Sequence, residues 1–149
     1  MSLIKQKGAS TVEFAIMLPL LLLLVVMVGE FGILFYRLNT VTKSVQIAAR
    51  YLSDVSVNNA NTVTDKTNAR NLAVYGNTAG TGTPVVPGLA AANIVITNPN
   101  SQHVRVEATG YNSSLILGNS LNALMQMVTG GNAPSVMALQ ASSVMRFAQ

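Results

Sequence analysis

The segment from Phe14 to Tyr36 constrains this chain most: 23 residues in which only Pro19, Gly29, Glu30 and Gly32 interrupt an apolar run. About 20 such residues, wound as a helix, cross the hydrocarbon core of a bilayer. Directly ahead of the run stands Glu13, preceded by Lys5-Gln6-Lys7-Gly8-Ala9-Ser10-Thr11-Val12. A carboxylate in a membrane helix is costly, roughly 2.5–3.5 kcal/mol at the centre and less toward an end. A plain anchor has no use for one. Glu13 therefore marks a functional position, unless it lies at headgroup depth and simply reaches water.

A cleaved secretory signal is the competing reading, since it too is first basic and then apolar, but it closes on a small-residue site. No Ala-x-Ala-like site follows here; the chain continues through Gly29-Glu30-Phe31-Gly32. Lys5 and Lys7 precede the run, and Arg37, Lys43 and Arg50 follow it. Counted near the membrane ends, these cations do not favour an inside N-terminus. Charge alone leaves the topology open.

At 149 residues there is room for one small domain beside a membrane segment. Half the residues are hydrophobic and 9% are charged, against about 25% in ordinary soluble domains. The net charge of +4 rests on few groups, two of them in the leader. Basic clusters with interleaved aromatics are missing, so no nucleic-acid partner is expected. Without cysteine the chain has no disulfide, no thiolate chemistry and no cysteine metal site.

Past the apolar run, Leu34, Leu38, Val41, Val45, Ala48, Leu52 and Val55 recur at alternating spacings of four and three. That is one stripe of an amphipathic helix, with Asn39, Thr42, Lys43, Gln46 and Arg50 on its other faces. One helix from about Thr11 to about Val57 is expected, roughly 70 Å long at 1.5 Å per residue. The stripe covers the chain's own core or packs between subunits. The Asn58-Asn59-Ala60-Asn61 run ends it.

Residues 58–149 read as a small α+β domain. Thr64 or Asp65 caps a short helix through Tyr75, with Gly76 as its stop. Gly76 to Pro84 is a loop by composition. Asn93 to Thr97 and His103 to Thr109 form a hairpin about Asn98-Pro99-Asn100-Ser101, with Val104, Val106 and Ala108 on one face. Leu121 to Val128 is a short helix, broken by Gly130-Gly131-Asn132-Ala133-Pro134. Val136 to Phe147 is the last strand. The fold class is thus α+β: a long N-terminal hydrophobic and amphipathic helix, then an antiparallel sheet of about three strands with short helices.

Catalytic chemistry is hard to find. His103 is the single histidine, and no two of Glu13, Glu30, Asp54, Asp65 and Glu107 have an acid/base spacing. The glycines of Gly76 to Gly88 lack the Gly-Lys-Ser/Thr ending of a phosphate-binding loop. No cofactor, no metal and no enzymatic activity are expected.

A short basic leader ending in Gly8, then Ala9 and a glutamate five residues after that glycine, resembles a type IV prepilin signal. Glu13-Phe14 matches the Glu-aromatic pair of Tad/Flp-type prepilins. The wider segment from Gly8 to Leu22, followed by Gly29-Glu30-Phe31-Gly32, resembles the TadE family of pilin-like proteins. Ala69-Arg70-Asn71-Leu72-Ala73-Val74-Tyr75-Gly76 and the loop after it are similar to TadE-like domains as well. A major Flp pilin is far shorter, and TadF-type relatives share this N-terminus.

The resemblance implies cleavage between Gly8 and Ala9 by a prepilin peptidase at the cytoplasmic face, which fixes the N-terminus inside. It divides the chain into a leader (1–8), a transmembrane and assembly helix (9–36), its amphipathic continuation (37–57) and an exported domain (58–149). It implies a minor pilin or pseudopilin, held in the bacterial inner membrane and then built into, or needed to initiate, an extracellular pilus used for adherence. The partners would be the peptidase, TadF-like and Flp-like subunits and the inner-membrane assembly platform. Glu13 would neutralise the cationic α-amino group of a neighbouring subunit's Ala9, a registry role open to buried charge. Glu30, roughly 30 Å along the helix, is either solvated at the outer interface or paired with Arg37 or a partner's base. Pro19, lacking an N–H, would kink or loosen the helix. An uncleaved single-pass periplasmic scaffold of the assembly or secretion machine is the alternative.

Overall fold

The computed structural model describes residues 6–55, 62–100, 102–115, 118–132 and 136–146. Its longest element is α1, Gln6–Val55, a 50-residue helix that continues through Pro19 without interruption. It starts earlier than Thr11, because Gly8 raises the cost of a helix by only about 1 kcal/mol relative to alanine and no proline forces a break. The predicted end near Val57 and the Asn58 to Asn61 run lie outside the described residues.

After α1 come α2 (Val63–Tyr75), a 3-10 turn (Ala91–Asn93), β1 (Ile94–Asn100), β2 (His103–Ser114), α3 (Gly118–Thr129) and β3 (Val136–Arg146). The strands form one antiparallel sheet in the order β1-β2-β3. The α+β class and its long leading helix stand as the sequence reading had them. Within the hairpin, Ile94 faces Ala108 and Ile96 faces Val106, and the register shifts between Thr97 and Asn100. β1 thus runs on through Asn98-Pro99-Asn100, expected to be a turn; Ser101 and Phe147 fall outside the described residues.

Helix α2 is capped by Thr62, not by Thr64 or Asp65. The Thr62 hydroxyl accepts from the Asp65 N–H at 3.2 Å, and the Asp65 carboxylate accepts from the Thr62 N–H at 3.1 Å. Asp65 is therefore the third helical residue of a capping box, which pairs two N–H groups that the first turn leaves over. Gly76 closes the helix at φ 72, a left-handed conformation that suits glycine, and its N–H reaches Leu72 O.

Two compact units divide the chain. One combines residues 34–113 with 138–149. Its core joins Val41, Val45, Ala48, Ala49 and Leu52 of α1 to Ala69, Ala73 and Val74 of α2 and to the inward side of the sheet. The stripe on α1 therefore covers the chain's own core. Its phase differs slightly from the sequence reading: Leu38 is half-buried and Arg37, one position earlier, is buried. Along β2 the buried positions run Val104, Val106, Ala108 and then Tyr111, Ser113. The parity changes around Gly110, whose φ of 64 marks an irregularity like a bulge. The Tyr111 hydroxyl donates to Pro87 O at 2.8 Å and holds the loop after α2 over the core.

The second unit combines residues 1–33 with 114–137, so that α3 groups with the amino-terminal part of α1. Its α3 begins at Gly118, three residues earlier than expected, and stops at Gly130 (φ 69), whose N–H reaches Gln126 O.

Candidate functional site

All five positions singled out from the sequence lie on α1. Gly8 and Ala9 fall in its first turns, and Glu13 follows Ala9 by four residues, a little over one helical turn. Gly8 is exposed, and a methyl group placed on it would meet nothing within 4 Å. Glu13 is also exposed, as is Phe14 beside it. Its carboxylate is directed to the helix surface, open to a partner.

Glu30 is placed differently. It is 3% exposed and is engaged by an interaction within the chain. The two carboxylates of the apolar segment thus diverge: Glu13 faces outward and Glu30 faces inward. Burial of an ionisable group costs several kcal/mol unless it is paired.

Between them the helix surface is apolar and open. Phe14, Ile16, Leu20, Leu21, Leu24, Val25 and Val28 are all exposed, Ile16 at 74%. Contiguous exposed apolar area on this scale marks a membrane or protein contact. Among the described residues, one helix is long and apolar enough to cross a membrane, and it is α1. Pro19 sits in this stretch, where its missing N–H frees a carbonyl one turn back. Among the described residues no group of His, Cys, Asp and Glu could hold a metal ion.

Two polar residues escaped the sequence reading. Arg37 entered it as a topology count and a possible base for Glu30, yet it is buried and its Nη1 donates to Ser113 Oγ at 2.6 Å. The available signal was its place between Leu34 and Val41 at spacings of three and four, inside the apolar stripe. Ser113 carried no signal, since its inward position follows from the irregularity at Gly110.

One exposed apolar helix bearing an outward carboxylate near its start, followed by a small α+β domain, fits a single-pass membrane anchor. The TadE-like protein family matches residues 8–50, which begin at Gly8 and take in nearly all of α1. The match falls on the segment that carried the resemblance, and residues 51–149 lie outside it. Neither a curated protein nor a solved structure matches the chain.

Proposed function

We propose that this protein is a non-enzymatic minor pilin of a Tad-type pilus. α1 holds it in the bacterial inner membrane with the small domain exported. A prepilin peptidase removes residues 1–8, and the mature protein enters the pilus or initiates it, for use in adherence. TadF-like and Flp-like subunits and the assembly platform are its partners.

The observation that carries this reading is the start of the family match at Gly8, with Glu13 exposed five residues on. Cleavage after Gly8 gives Ala9 a cationic amine at neutral pH, and an exposed Glu13 on a neighbouring subunit is its natural counterion. Inside a helix bundle that pair is desolvated, so an unmatched subunit is penalised and register is selected. The exposed apolar surface from Val12 to Val28 serves lipid before assembly and neighbouring helices after it.

Shearing tests the assembled state. Filaments sheared from cells and purified should contain this chain at a low but constant ratio to the major subunit. Retention of the whole pool in the membrane fraction would contradict incorporation.

A further inference from the structure

We propose that the outer edge of β1, beside Arg70 of α2, binds an extended acidic segment of another protein and adds it to the sheet as a further strand. The proposal concerns the small domain alone and does not depend on cleavage after Gly8. The sheet runs β1-β2-β3, so β1 forms one of its edges. Antiparallel ladders alternate between residues whose N–H and C=O face the partner strand and residues whose groups face away. Ile94 is of the second kind: its N–H reaches Ala91 O, and its carbonyl accepts from Arg70 Nε at 3.3 Å. Ile96, two residues on and in register with Val106, therefore turns its own N–H and C=O outward. Among the described residues no backbone group outside the sheet meets them. Open edge groups of this kind are a template for one more strand.

The paired stretch would be short. The register shifts after Thr97, and Pro99 has no N–H to give. Main-chain bonds over so few residues need a side-chain anchor, and the edge carries one. Arg70 is half-buried and forms no ion pair among the described residues. With its Nε on Ile94 O, its Nη donors are left for a planar carboxylate. Lys66 stands one turn earlier on the same helix face. Carboxylates of the domain itself are committed elsewhere. Asp65 closes the capping box. Glu107, opposite Val95, pairs with Arg105 at 3.6 Å and accepts from Ser142 Oγ at 3.2 Å.

Arg70, Ala91, Ala92, Ile94, Val95 and Ile96 together line a groove of about 440 Å³. Its alanines let a backbone come close, and Val95 offers exposed apolar surface to a neighbouring side chain. Charge and shape together call for an extended segment with a carboxylate among apolar residues. A second copy of this chain does not supply one, since all five of its acidic side chains lie within α1, α2 or β2. The occupant is therefore a different chain, held by main-chain bonds to β1 and by its acid on Arg70.

The test uses the full chain in dodecyl maltoside micelles. A phage-displayed random heptapeptide library, depleted on empty micelles, is selected on the wild type. Enriched peptides are remade with a fluorophore and titrated by anisotropy. The proposal expects enriched sequences with Asp or Glu among β-branched residues. Changing that acid to its amide should weaken binding about tenfold to the wild type and not at all to R70Q. V95D leaves the Arg70 bond to Ile94 in place and sets a like charge on the edge. It should weaken binding several-fold and keeps the test decisive should R70Q fail to fold by circular dichroism. N-methylation at alternate peptide residues should abolish binding, as main-chain pairing requires. No enrichment, or enrichment of sequences without an acid, overturns the proposal. Equal sensitivity to the acid in wild type and R70Q overturns it by placing the contact elsewhere. Binding indifferent to V95D, or to N-methylation, overturns strand addition at this edge.

Discussion

Arg37 Nη1 donates to Ser113 Oγ across 2.6 Å, joining the middle of α1 to the last turns of β2, 76 residues later. Both side chains are buried. A guanidinium withdrawn from water needs every acceptor it can reach. The bond therefore fastens the small domain to the helix that carries it. Ser113→Ala removes one acceptor and leaves a buried charged donor short of a partner. It should cost about 1.5–3 kcal/mol, read as a lower midpoint in chemical or thermal denaturation of the detergent-solubilised protein. An unchanged midpoint would show that the bond contributes nothing.

The amphipathic half of α1 should divide sharply by face. Leu52 is fully buried in the core, whereas Ile47, five positions earlier, is 54% exposed. Leu52→Ala should destabilise the domain by about 2–5 kcal/mol, and Ile47→Ala by no more than about 0.5 kcal/mol. Equal effects in denaturation would contradict the assignment of this stripe to the chain's own core.

The capping box at α2 gives a smaller, local effect. Thr62→Ala loses the acceptor for the Asp65 N–H and should cost about 1 kcal/mol. Amide exchange should accelerate first in the opening turn of α2, at Val63 to Lys66. Uniform acceleration across the sheet would point to a different cause.

Glu13 and Glu30 should separate by phenotype. On the proposed pairing of the exposed Glu13 with a neighbouring subunit's amine, Glu13→Ala should insert in the membrane at normal levels and yet abolish piliation. Glu30→Ala acts within the subunit, so its first effect should be a lower amount of protein by immunoblot. Normal pili with Glu13→Ala would remove the charge-pairing account.

The parts of this molecule legible in sequence are those set by local periodicity. The apolar run and the stripe after it gave α1, alternation at Val104, Val106 and Ala108 gave β2, and Gly76 gave the end of α2. Long-range partners left weaker marks. Arg37 looked like a flanking cation until the fold supplied Ser113, and the cap of α2 was placed two residues late because Thr62 and Thr64 are chemically alike. Only the reciprocal bond with Asp65 distinguishes them. Glu13 was legible because a carboxylate in an apolar segment is costly wherever it ends up; that Glu30 turns inward was not, since outward and inward glutamates look the same in sequence.

The central claim is that Ala9 becomes the amino terminus and that Glu13 thereby gains its role. The intact mass of the protein from membranes, with and without the host's prepilin peptidase, tests it most directly. The account predicts a peptidase-dependent loss of residues 1–8. A full-length mass in both strains would contradict it and identify an uncleaved membrane scaffold, in which Glu13 has no amine to meet.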